Sequence, residues 1–110
     1  MKADAKEREL CIDSCLACYR MCIQTAIDHC LEAGGEHVTP RHFRLMMGCA
    51  ELCRTAAHAL LMGVENYKFF CGACAVMCDD CAASCEGLDG MADCGRTCRA
   101  CADLCDRMSA

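Results

Sequence analysis

Residues 71–105 read CGACAVMCDDCAASCEGLDGMADCGRTCRACADLC, and one spacing occurs in them twice. C-x-x-x-C-x-x-C-x-x-x-C is set out by Cys74, Cys78, Cys81 and Cys85, and again by Cys94, Cys98, Cys101 and Cys105. Steps of three and four return a side chain to the same face of an α-helix, whereas a strand needs alternation at period two, which is absent. Asp79, Asp80, Arg96, Arg99, Asp103 and Asp106 fall between the cysteines and suit the solvated side of such helices. The stretch therefore predicts two helices, about Glu65 to Glu86 and Asp89 to Met108, with Gly87 stopping the first and Asp89 capping the second.

Working outward, the same quartet recurs as Cys11, Cys15, Cys18 and Cys22, inside a run from about Ala3 to Ala33 that lacks Gly and Pro. Gly34 and Gly35 end it. Thr39 followed by Pro40 is a helix start, the hydroxyl capping and the proline sitting where its missing N–H costs nothing. That helix should run to Met62 and stop at Gly63, carrying Cys49 and Cys53. Cys71 extends the later series by one step, and Cys30 alone lies about a quarter turn off its line. Four helices joined by loops of about 2 to 5 residues have to pack antiparallel. The expected fold is all-α: an up-down-up-down four-helix bundle with a cysteine-lined core, residues 1–110 forming one domain.

Sixteen cysteines in 110 residues exceed the 8–10% that already marks an unusual chain. A net charge of −5 supplies no basic stripe for nucleic acid, and with no Trp, two Tyr and three Phe, base stacking is poorly served. The charged start MKADAKEREL does not read as a leader, and no run resembles the roughly 18 apolar residues of a membrane span. The expectation is a cytoplasmic protein without a membrane or nucleic-acid partner, its thiols reduced. No nucleophile, base and orienter set can be assembled, so it reads as a non-enzyme.

Several chemistries use a thiol face. Buried cysteine packs as a small hydrophobe, cross-helix disulfides use an even count, and zinc, cadmium, iron–sulfur or thiol redox roles all recruit cysteine. Zinc and iron–sulfur sites take closed sets of four ligands, whereas these thiols form continuous columns. Cu(I) fits the columns better. It is soft and is satisfied by two or three sulfurs, so bridging thiolates carry about one ion per cysteine, roughly sixteen in all. The bound cations also neutralise thiolates that would be costly to bury unpaired.

Antiparallel packing gathers His29, Cys30, His42, Met46, Cys85 and Met91 at one end. Stepping back from Cys49 and Cys53 reaches Met46 and His42, and stepping seven forward from Cys22 reaches His29. These are candidate entry ligands, although a methionine on a bundle seam is as readily a packing side chain. His37 and His58 read as solvated surface. The opposite end collects Leu10, Leu60, Leu61, Tyr67, Phe69, Phe70 and Met108 and reads as an apolar plug.

The three quartets on four antiparallel helices, with Thr39–Pro40 opening the second, resemble the bacterial copper storage proteins along about the whole chain. The resemblance implies storage or sequestration of many Cu(I) ions, commonly in a tetramer of bundles, and a start without a leader is similar to the family's cytosolic branch. All sixteen cysteines become metal ligands on this reading, with His42, Met46, Met91 and His29 at the entrance. The second helix departs from the pattern, offering Ala56, Ala57, Leu60 and Leu61 where a further cysteine column would stand. The identity of any copper donor or acceptor is not legible.

Overall fold

A computed structural model describes residues 5–110, so the expected first helical residue, Ala3, lies outside the described part. Helix α1 runs over Ala5–Ala33 without a break, as a stretch free of Gly and Pro should. Its interior is not uniform, however. Ala26–Cys30 form a π-helical turn in which the Leu31 N–H reaches back five residues to the Ala26 carbonyl. A short 3-10 turn, Gly35–Val38, leads into α2, Pro40–Met62. The Thr39 hydroxyl accepts from the His42 N–H at 3.4 Å and Pro40 occupies the first turn, as the sequence requires. Gly63, at φ 68, closes α2 in the left-handed conformation.

Helix α3 spans Tyr67–Cys85 and α4 spans Ala92–Ser109, each starting two or three residues later than the periodicity suggests. Asp89 does not cap α4. The cap position is Met91, without a side-chain bond, and the Asp89 carbonyl instead accepts from His29 Nε2 at 3.1 Å and His37 Nε2 at 2.9 Å. The short connections make an antiparallel bundle measuring 45 × 18 × 18 Å. Helices α3 and α4 are also tied across their exposed faces by Arg99, which donates to both Glu86 and Asp79.

The core is built almost entirely of small side chains. All sixteen cysteines are buried, interleaved with Ala26, Ala50, Ala56, Ala57, Ala75, Ala82 and Ala102. Met46 and Met91 are the largest side chains that are fully buried. Slim side chains let the helices close up: a Cβ on Gly48 would lie 3.2 Å from the Met77 thioether on the neighbouring helix. The α1 segment is long and apolar enough by length and composition to cross a bilayer, contrary to the sequence expectation. Its Ile and Leu residues supply most of that hydropathy; the cysteines turn inward against the other three helices, while Leu10, Leu16, Ile27 and Leu31 are exposed.

Candidate metal centre

The sulfurs form a connected lattice along the bundle axis. From the closed end, Cys11 and Cys15 approach Cys105 at 3.7 and 3.5 Å, and Cys101 reaches back to Cys15 at 3.7 Å. Midway, Cys53 lies 3.5 Å from Cys78, 3.7 Å from Cys74 and 3.8 Å from Cys101, and Cys49 lies 3.5 Å from Cys78. Higher up, Cys18 and Cys22 meet Cys98 at 3.8 and 3.6 Å, and Cys22 meets Cys94 at 4.0 Å. All sixteen thiols are free, and the sulfur–sulfur contacts above lie at van der Waals separations rather than at the roughly 2.05 Å of a disulfide.

Four groups of four sulfurs lie within 4.8 Å of one another: Cys15, Cys74, Cys101, Cys105; Cys53, Cys74, Cys78, Cys101; Cys18, Cys49, Cys53, Cys78; and Cys18, Cys22, Cys49, Cys98. The overlap decides the chemistry. Ten different cysteines fill all the positions, so the groups cannot be four closed tetrahedral sites with private ligands. Shared sulfurs suit a soft ion that accepts bridging thiolates at low coordination number.

Thiols in such contact do not titrate alike. Hydrogen bonds from Cys18 and Cys22 hold Cys49 well below an ordinary thiol, and bonds from Cys105 and Cys15 do the same for Cys101. Cys22 and Cys53 are pushed up in exchange, chiefly through their bonds with Cys18 and Cys101 respectively.

The upper end carries other ligands. Met46 Sδ accepts from Cys81 and Cys85, each at 3.6 Å. Cys30 Sγ lies 3.7 Å from His42 Nε2 and 3.8 Å from Met91 Sδ. Burial pushes the Cys30 thiol up and holds His42 below the usual histidine range, which favours the uncharged imidazole. The sequence placed His29 on the column and Cys30 off it; the structure reverses them. The π turn absorbs one extra residue after Cys22, which carries Cys30 into the core and turns His29 outward. There His29 packs edge-on against His37, ring centroids 5.1 Å apart, and the two share the Asp89 carbonyl.

At the other end the plug is smaller than expected. Leu60, Met108 and Ile12 are buried, but Leu10, Leu61, Phe69 and Phe70 lie on the outside, Phe69 being 78% exposed. Ala56, Ala57 and Leu60 do form an apolar wall without ligands, while Leu61 points away. Sequence reasoning passed over Ser84, whose hydroxyl is 2.7 Å from His42 Nδ1; no spacing rule distinguishes it.

A four-helix bundle with its axis lined by contiguous free thiols defines a metal-thiolate storage scaffold rather than a closed structural metal site. The copper storage protein family matches residues 4–110, and the chain belongs to that family. It is 31% identical over 104 residues to the uncharacterized cysteine-rich protein YhjQ of Bacillus subtilis, covering 93% of this chain and 95% of that one. Among solved structures, the Nmul_A1745 protein of Nitrosospira multiformis superposes with a TM-score of 0.95 at 50% identity, covering 96% of this chain and 97% of that one. The Cu(I)-bound copper storage protein BsCsp3 superposes with a TM-score of 0.86 at 30% identity, over 94% of this chain and 99% of that one.

Proposed function

We propose that this protein stores Cu(I), taking up about one ion per cysteine through bridging thiolates along the bundle axis. The observation that carries the reading is the overlap of the four sulfur groups, which favours bridged Cu(I) over private four-thiolate sites. All of Cys11, Cys15, Cys18, Cys22, Cys30, Cys49, Cys53, Cys71, Cys74, Cys78, Cys81, Cys85, Cys94, Cys98, Cys101 and Cys105 are ligands on this proposal. Ions enter past His42, Met46 and Met91, with His29 outside them, because weaker mixed ligands are met before the thiolate lattice. The role is storage rather than catalysis, in one metal-binding unit over residues 1–110. Unbridged thiols at this density suit the reducing cytoplasm. Exposed Leu10, Leu61, Met62, Phe69 and Phe70 support assembly of several bundles, a tetramer by family resemblance.

Anaerobic titration of the apoprotein with Cu(I), followed by free-thiol counting, tests this directly. Uptake should continue well past ten ions per chain with helical circular dichroism retained, and Zn(II) should not compete. Saturation at roughly four ions, the number that sixteen thiols in closed sites would hold, sinks the proposal.

A further inference from the structure

Among the described residues, His42 is the one buried polar side chain, 3% exposed, and its two ring nitrogens face different chemistry. Nε2 looks toward the Cys30 sulfur at 3.7 Å, with Met91 Sδ 3.8 Å beyond that sulfur. Nδ1 has Ser84 Oγ at 2.7 Å, a hydroxyl brought over from α3 while His42 sits in the first turn of α2. A neutral imidazole carries one proton, so one nitrogen donates and the other offers a lone pair. Which one matters here, because only a lone pair on Nε2 can join the two sulfurs around a soft cation.

Ser84 can decide the matter. Its oxygen stands 2.7 Å from Nδ1, within reach to accept from an Nδ1–H, and that tautomer is the one that leaves the Nε2 lone pair free. Metal-ligating histidines commonly have their second nitrogen anchored in this way by an outer partner. Among the described residues, Ser84 is the side chain that bonds Nδ1.

We propose that Ser84 is a positioning residue for the mouth: by accepting from His42 Nδ1–H it keeps the Nε2 lone pair facing Cys30 and Met91, so that a thiol, an imidazole and a thioether form a ready first site for Cu(I). The proposal rests on the storage reading. A set containing thioether selects a soft monovalent ion more strongly than thiolates alone, since thioether is a poor partner for harder cations. The consequence is a receiving site chemically distinct from the overlapping thiolate groups below it, none of which includes Cys30.

Nitrogen-15 NMR of the full apoprotein reads the tautomer, and stopped-flow transfer of a first equivalent from Cu(I)–bicinchoninate reads the consequence. Wild type should show His42 protonated on Nδ1. Ser84→Ala should shift the ring toward the Nε2–H form and slow transfer of the first equivalent about tenfold, leaving total uptake unchanged, since no thiol is lost. Ser84→Thr, which keeps the hydroxyl, should restore both, and in a His42→Ala background Ser84→Ala should have no further effect. An Nε2–H tautomer in wild type, a wild-type rate in Ser84→Ala, or a Ser84→Thr variant as slow as Ser84→Ala overturns the proposal. Should Ser84→Ala lose its helical signal, the wild-type tautomer and the Ser84→Thr rate still decide. A wild-type chain that saturates near four ions while its His42 carries the proton on Nδ1 would count against storage and not against Ser84.

Discussion

At the mouth, Cys30, His42, Met46 and Met91 bring together a buried thiol, an imidazole and two thioethers; at the opposite end, beyond Cys11 and Cys71, Ile12, Leu60 and Met108 bring mainly hydrocarbon. Burial is similar at the two ends, so access alone does not separate them. Ligand character does. Between them run the overlapping thiol groups, in which Cys18, Cys49, Cys53, Cys74, Cys78 and Cys101 each serve twice. The interior is graded, from an end with an imidazole and two thioethers, through shared thiols, to an end where the Met108 thioether stands beside hydrocarbon. A bundle sealed by hydrocarbon at one end and by weak ligands at the other has a direction.

The largest effect should come from filling the lattice. The apo core has few large side chains and therefore modest dispersion and burial, whereas the metal binds only the folded arrangement. At free Cu(I) about a thousandfold above its dissociation constant, a single bound ion adds roughly 4 kcal/mol, or about 20 °C in Tm, and each further ion adds to it. An unchanged melting curve breaks the link between core and capacity. Next, Leu60→Ala at the sealed end should cost the apoprotein about 3 kcal/mol and lower its Tm by about 12 °C, with Cu(I) uptake unaltered. Lost capacity in that variant would mean the apolar end is part of the store.

Cys53→Ala should reduce uptake by about two ions because that sulfur serves two groups, whereas Cys30→Ala should cost about one and chiefly slow the first transfer. Equal losses, counted by elemental analysis of saturated protein, would erase the distinction between middle and mouth. Smallest is Gly90→Ala. At φ 75 the added Cβ would sit 2.8 Å from His29 Nε2, so the loop that His29 and His37 hold should shift. A left-handed alanine costs about 1–2 kcal/mol, a Tm fall of about 5 °C by scanning calorimetry, with capacity intact.

Much of this was legible because the cysteine columns depend only on helical periodicity, and sixteen inward thiols leave no other face for the charged residues to avoid. Thr39, Pro40 and Gly63 marked the limits of α2 through backbone rules that tertiary packing did not override. The failures share a cause, which is that a residue count assumes an unbroken α-helix and isolated ends. Counting at 3.6 residues per turn misplaced Cys30 and His29 because hydrogen bonds in residues 26–30 skip five rather than four. Asp89 has the right side chain for a cap, but its carbonyl is held by two histidines from elsewhere in the chain, and the backbone there follows them. Phe69 and Phe70 lie near an end yet project outward, because position along a helix says nothing about the direction in which a side chain points.

The π turn also bears on how this chain should be aligned with its kin. Cys30 follows Cys22 by eight positions, one more than the seven at which a regular α-helix returns a side chain to nearly the same line. A relative with a single residue fewer in that interval would deliver its thiol to the same point through an ordinary helix. The gap between two such sequences belongs inside residues 26–30, where the surplus residue is taken up as slack in the winding. Placed anywhere else, it would pair Cys30 with an outward-facing position and make a shared core thiol look like a lost one.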